Sequence, residues 1–399
     1  MKLAFFVSDY PVTSETFIVR QIAGMIDLGH DVTVIAGYVN KGIEDPLRGK
    51  VTVMPIRASL SAGDHIDIIA GLISPGRSLS CKALFRTAAS AVKNRMLGTL
   101  SDIYHSQRRN LGDYDAIIAH FGPAGVRAML LRDAGLLSGP IATVFHGMDM
   151  TDRVILKKYR YLYRQLFKRT EMLLPISDLW KAKLVEWGAA LEKIKVHRMG
   201  VDFDTDHVAS DSVSDGTDHL EILSVGRFVE KKGLEYAISG VLKSGVKCKY
   251  TIVGYGPLEE RLREIAAGND NICFAGKVDH AGVFQLLSKS NVFLLPSVTA
   301  SNGDMEGIPV SIMEAMAANV LVLATRHSGI PELVEDGVNG ILVDERNSDQ
   351  IAGSLREIVS GQIDLSKMIK AARAKVENLY NNKTLDYQLL DILQSISRR

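Results

Sequence analysis

The chain has 399 residues, 46% hydrophobic and 23% charged, with a formal net charge of +1. So even a balance carries no electrostatic footprint for DNA or RNA, and Cys81, Cys248 and Cys273 stand in no metal-ligating or CxxC spacing, so neither a disulfide framework nor a zinc site is suggested. The length exceeds what one hydrophobic core commonly supports, and two domains of about 200 residues each are expected.

The apolar start is too short for a secretion signal and lacks a cleavage pattern, and no stretch of about 18 apolar residues follows. A cytoplasmic enzyme is expected, with any membrane contact peripheral, at the inner face of the plasma membrane. In the first half, apolar runs predict strands at 2–7, 31–36, 51–55, 116–120, 141–145, 172–176 and 193–196. Helices are predicted over 15–28, 123–133 and 178–187, and 66–110 reads as mainly helical with a break at Ser74-Pro75-Gly76. After the first strand, Thr13 or Ser14 could cap a helix carrying Glu15 and Thr16 in its first turn, with that helix start facing the cleft between domains. Two later strands each end in histidine with glycine close by, giving His120-Phe121-Gly122 and His146-Gly147. A lone histidine is more often structural, but a pair at two strand ends points toward a hydroxyl or a leaving group. Residues 153–169 interleave Lys and Arg with Tyr, Leu and Phe, a pattern compatible with a helix on anionic lipid and equally with the solvated face of a packed helix.

An Asp- and Ser-rich stretch over 201–218 reads as the linker. The second half repeats the rhythm, with strands at 221–225, 249–253, 272–274, 292–295, 320–324 and 340–343 joined by mostly helical connectors. Alternation of this kind predicts parallel α/β layers, in which ligands bind beyond the carboxyl ends of the strands. The unusual residues fall there. Arg227 offers a planar fork for phosphate oxygens and Lys232 a mobile charge, so together they could neutralise a diphosphate. Gly254-Tyr255-Gly256-Pro257 makes a turn where backbone could approach a base or ribose, a weak signal alone. The most informative stretch runs from Ser301 to Ala317, where a polar loop containing Glu306 leads through Pro309, expected as the first helical residue, into an apolar helix carrying Glu314. Such a helix start presents unpaired N–H groups to the loop, suited to a diphosphate and sugar hydroxyls. Glu314 needs a partner, for which ribose hydroxyls are one candidate; the bland alternative has Glu306 as a helix-entry acid and Glu314 facing solvent.

These residues resemble the retaining GT-B glycosyltransferases of family four, especially bacterial exopolysaccharide and colanic-acid types. The likeness rests on Gly226-Arg227 with Lys232-Gly233, the Gly254 to Pro257 turn, the Glu306 and Glu314 pair, and Ser328-Gly329-Ile330-Pro331-Glu332. It implies a GT-B fold of two Rossmann-like parallel-sheet domains facing a central cleft: an acceptor domain over 1–203, a donor domain over 204–380, and a helix over 381–399 crossing back to the first. It implies that Glu306 and His146 approach the transferred sugar, with Gly303, Asp304, Met305, Gly307 and Ile308 around the donor. It places Glu314 on the ribose, Arg227 and Lys232 on the diphosphate, and backbone at Lys277 and Val278 on the base. Ser14, Glu15 and Thr16, with His120, Phe121 and Gly122, fall on the acceptor side. The activity implied is metal-independent transfer without a cofactor, from a nucleotide sugar, with UDP preferred, to a glycan or lipid-linked acceptor, retaining anomeric configuration. The chain departs from the family at Val12-Thr13-Ser14-Glu15, where many members carry a Gly-Gly pair, and at Ile308, where an aromatic is common. A GT-B epimerase without transfer and a silent binding subunit are the competing classes.

Overall fold

The computed structural model describes residues 1–56, 111–203 and 219–397. The helical expectation over 66–110, including 88–109, which the sequence also offers for the membrane side if the acceptor is lipid-linked, lies outside the described residues, as do Cys81 and the linker from 204 to 218.

The strands in chain order are β1 (Lys2–Tyr10), β2 (Asp31–Val39), β3 (Thr52–Pro55), β4 (Ala116–His120), β5 (Ile141–Phe145), β6 (Met172–Pro175), β7 (Leu220–Val225), β8 (Cys248–Val253), β9 (Ile272–Gly276), β10 (Val292–Leu295), β11 (Leu321–Thr325) and β12 (Ile341–Val343). They form two six-stranded sheets, ordered β3-β2-β1-β4-β5-β6 and β12-β11-β10-β7-β8-β9. All pairings are parallel. Each half thus has the same doubly wound order, and each reverses direction at a crevice, between β1 and β4 and between β7 and β10.

The strand sequences are near-continuous apolar runs because both faces of a parallel sheet are covered. Alternation decides which face each residue serves. Ile222, Val292, Leu294, Leu321 and Leu323 enter one hydrophobic cluster, while their neighbours Leu223, Phe293, Leu295, Val322 and Ala324 enter the cluster on the opposite face. Against the first sheet, helix Thr16–Asp27 buries Ile18, Ile22 and Met25 at helical spacing. The final helix, Asn382–Ser397, sends Leu389, Ile392, Leu393 and Ile396 into the hydrophobic cluster of that first sheet. The two passages of chain between the sheets run side by side: Val201 N–H donates to Tyr380 O at 2.9 Å and Asn382 N–H to Val201 O at 3.0 Å. Arg20 anchors them to the first helix through Asp202 at 2.7 Å and Asp386 at 3.1 Å.

Three local expectations are corrected. Residues 193–196 are not a strand: Leu191–Lys193 is a 3-10 turn, and beyond it the chain meets β6 through an isolated bridge of Ile194 to Leu173, with Lys195 N–H donating to Leu173 O and His197 N–H to Pro175 O. Pro309 precedes its helix instead of opening it; at φ −65° and ψ 123° it occupies the cap position of Val310–Ala317. Neither Thr13 nor Ser14 caps the first helix, whose cap position is Glu15, without a side-chain hydrogen bond to the helix end.

Candidate functional site

A cleft of about 680 Å³ lies where the carboxyl ends of the two sheets converge. Of the residues singled out in the sequence, Ser14, Glu15, Thr16, Phe121, His146, Arg227, Lys232, Gly254, Gly256, Pro257, Lys277, Val278, Met305, Glu306, Gly307, Ile308 and Glu314 line it. Gly303, Asp304, His120 and Gly122 do not, and each has a local reason. Asp304 is turned onto Lys231, 3.0 Å away, and Gly303 packs against Thr151 and Arg153. His120 sits behind His146, and Gly122 is covered by Tyr163.

On the second-domain wall, the turn after β7 is drawn tight against the turn after β8. Gly254 has φ of 140°, and any Cβ there would collide with the Gly226 carbonyl, so only glycine permits the close approach. Arg227 lies exposed in this turn. Lys232 follows in a 3-10 turn, with Nζ 3.0 Å from Glu306 Oε1. The approach lies outside hydrogen-bonding geometry, so Oε1 keeps an acceptor position open. Burial alone would raise the Glu306 carboxyl, but Lys232 and then Lys231 pull it below the usual carboxylate range. The helix Val310–Ala317 that follows has no side-chain cap, and Val310 and Ser311 in its first turn line the cleft, leaving backbone donors for an anion. Glu314 does not face solvent: its side chain is 15% exposed and its Oε1 lies 3.3 Å from His280 Nε2. That hydrogen bond raises the His280 imidazole above its ordinary value.

The first-domain wall meets this loop directly. A Cβ on Gly307 would strike the His146 carbonyl, and one on Gly147 would come within 3.2 Å of Gly307. The two loops touch backbone to backbone through paired glycines. Thr151 Oγ1 accepts from Met305 N–H at 3.2 Å, and Asp152 Oδ2 accepts from Asn302 Nδ2 at 2.7 Å. Farther along, Glu332 accepts from Asp178 N–H at 2.9 Å and Leu179 N–H at 2.7 Å, so a carboxylate of one domain sits at a helix N-terminus of the other. Glu15 projects into the cleft, where burial first and then Asp9 raise its carboxyl to about 7 against the opposing pull of Arg227.

Two residues that sequence reasoning missed hold these walls in shape. Asp149, fully buried, accepts from Gly122 N–H at 2.8 Å and from His146 and Gly147 N–H at 3.0 Å each, clamping both histidine-bearing turns. Burial raises its carboxyl to about 6, against those donors. The available signal was its place in the turn three residues after His146, where an Asp side chain reaches back to backbone. His327, just beyond β11, accepts from Glu306 N–H through Nε2 at 3.1 Å, and its Nδ1 meets Glu345 Oε1 at 2.5 Å. A third histidine at a strand end was the signal there.

Comparison with known proteins bears on the family and the fold. The family model "Glycosyl transferases group 1" matches residues 210–375, and "Glycosyltransferase Family 4" matches residues 14–205. The chain is 39% identical to WcaL of Salmonella typhimurium, a glycosyltransferase assigned to colanic acid biosynthesis, over 99% of this chain and 100% of the relative. It is 37% identical to the amylovoran biosynthesis glycosyltransferase AmsK of Erwinia amylovora, over the whole of both chains. The crystal structure of Anabaena HepE in complex with UDP and glucose superposes with a TM-score of 0.71 at 16% identity, covering 99% of this chain and 100% of that one, a likeness of fold.

Proposed function

This chain belongs to the glycosyltransferases of group 1 and family 4, and on that footing we propose that it moves a sugar from a nucleoside diphosphate donor to a glycan or lipid-linked acceptor with retained anomeric configuration. The relatives' assignment to colanic acid and amylovoran synthesis supports a cell-surface polysaccharide as the product. One observation carries the reading: Arg227, Lys232, Glu306 and Glu314 line a single cleft, facing a first-domain wall that carries His146 and Glu15.

The donor diphosphate lies against Arg227, Lys232 and the start of helix Val310–Ala317, the ribose against Glu314, and the base near Lys277 and Val278. UDP is the nucleotide favoured by the family resemblance. In the transfer, the bond from the anomeric carbon to the phosphate oxygen breaks. A bond to the acceptor oxygen forms on the same face, and the acceptor proton passes to the departing phosphate. The charge that develops on that phosphate is met by preorganised cations and helix N–H groups. In this reading the neutralisation falls to these cations without a metal ion, which the magnesium arm of the titration below tests. Glu306 and His146 orient the sugar.

No helix among the described residues is long and apolar enough to cross a membrane. The helix Arg153–Arg169 buries Leu162, Tyr163, Leu166 and Phe167 on one face. Its other face exposes Arg153, Lys157, Arg164 and Lys168 beside Val154 and Tyr161, with no acid along its length. Both sequence readings of this segment are therefore compatible with one helix, and the basic face supports contact with anionic lipid at the cytoplasmic surface.

Thermal-shift titration with UDP, GDP and ADP, each with and without magnesium, tests the donor assignment, since a ligand of the native state raises apparent stability with concentration. Selective, magnesium-independent stabilisation by UDP is expected, followed by nucleotide release in proportion to acceptor consumed. Stabilisation by none of the three overturns the site, and nucleotide-sugar conversion without acceptor consumption overturns transfer.

A further inference from the structure

Two neighbouring strands and the segment running beside a third each bring a histidine to one place. His120 ends β4, His146 follows β5, and His197 donates its backbone N–H to Pro175 O, the last residue of β6, at 3.0 Å. All three are buried, at 2%, 8% and 2% exposure. Together with Phe17, Gln21 and Asp386 they line a second cavity of about 30 Å³, adjoining the cleft at His146 and Phe17. His120 Nδ1 lies 3.0 Å from His146 Nε2, and Gln21 Nε2 lies 3.1 Å from His197 Nε2. An amide nitrogen only donates, so His197 Nε2 accepts, and the proton of its neutral ring is on Nδ1.

Five buried polar atoms of the residues lining this cavity are left without a hydrogen-bond partner: Gln21 Oε1, His120 Nε2, His146 Nδ1, His197 Nδ1 and Arg198 Nε. Each such orphan is costly, and about 10–15 Å³ of polar cavity suffices for one water. We propose that the cavity holds an ordered water that accepts from His197 Nδ1–H and donates to His120 Nε2, making His120 and His197 positioning residues that set the tautomer of His146. The direction of the chain follows from its fixed end. With His120 Nε2 accepting, its proton is on Nδ1 and is donated to His146 Nε2, so His146 carries its own proton on Nδ1. Burial keeps all three rings neutral, lowering His120 to about 3 and His197 to about 4. His146 is left with a donor at Nδ1 and no free acceptor, and it cannot serve as a base.

Histidine side-chain nitrogen NMR of the full-length ¹⁵N-labelled protein, without donor or acceptor, reads the tautomers directly. Single His→Asn variants assign the rings. The expected result is three neutral rings, each protonated at Nδ1; an Nε2-protonated or charged His146 overturns the proposal, as does an empty cavity in a high-resolution crystal structure. In His197→Phe, and in the milder Gln21→Leu, His146 should become a tautomer mixture, and kcat should fall by about tenfold or more with donor KM unchanged. Retention of the single tautomer in both variants overturns the positioning role. Only the kinetic arm rests on the transferase reading, so absent transfer with the stated tautomers defeats that reading and leaves this one standing.

Discussion

Lys232 Nζ lies 3.0 Å from Glu306 Oε1, joining the turn after β7 to the loop after β10, with side-chain exposures of 14% and 10%. The pair places a cation and a carboxylate together before any donor arrives. A diphosphate that draws Lys232 toward its own oxygens would free Glu306 for a sugar hydroxyl, so one movement would prepare both ends of the scissile bond. Replacing Lys232 by Ala should lower kcat/KM by about 10²–10³-fold, as for loss of one preorganised charge-stabilising donor. Assay of acceptor-dependent nucleotide release checks it, and a loss under threefold would remove Lys232 from the diphosphate. The same pair predicts a pH effect. Glu306 is held below the ordinary value of 4.5, so the stability it contributes is present above that value and lost as pH falls through the lower folded value. Glu306→Gln should flatten the acid limb of a stability-versus-pH curve.

Arg227 supplies a planar fork where Lys232 supplies a point charge. Arg227→Ala should reduce transfer by about 10²-fold, and Arg227→Lys should recover part of the charge but not the bidentate geometry. Donor titrations by initial rate measure both, and an unchanged rate in the alanine variant would count against the assigned role.

Asp149 satisfies three backbone donors from a fully buried position. Asp149→Ala leaves them unpaired and should destabilise the protein by about 3 kcal/mol or more, read from urea midpoints. Its folded value is raised to about 6 from 3.8, so its favourable contribution is complete below 3.8 and declines as pH rises through about 6. A variant as stable as wild type would show that the clamp is unnecessary.

Glu332 holds the N-terminus of helix Asp178–Glu186 across the domain boundary. Glu332→Ala should weaken this contact by about 0.3–1 kcal/mol, the usual range for a carboxylate at a helix start. The visible consequence should be a larger radius of gyration without nucleotide by small-angle scattering, recovered on addition of UDP. No change in either state would mean that the remaining loop contacts alone keep the domains together.

The basic face of helix Arg153–Arg169 should bind anionic vesicles more tightly than neutral ones, with binding weakened by salt. Neutralising Arg153, Lys157, Arg164 and Lys168 together should abolish most of it, at about 1 kcal/mol per charge. Vesicle co-sedimentation decides the matter, and binding that survives all four changes would defeat the membrane reading.

Local chemistry made much of this protein legible in one dimension. Parallel strands buried on both faces must be apolar throughout, so β1, β4, β10 and β11 stand out, and glycines at strand ends mark where backbone turns approach one another. The cleft residues from Gly226 to Glu314 were readable because their types are costly in that setting, a carboxylate in an apolar helix above all. What failed to show was decided at a distance. Asp304 belongs to Lys231 and His120 to His146 because of which turns the sheet order sets side by side, and Asp149, His197 and His327 meet residues 27, 176 and 21 positions away, respectively. Sequence determined which strands form and which side chains need partners, since propensity and desolvation are properties of neighbours along the chain. Tertiary structure decided which partners those were, since hydrogen bonds and ion pairs act over about 3 Å of space whatever the separation along the chain.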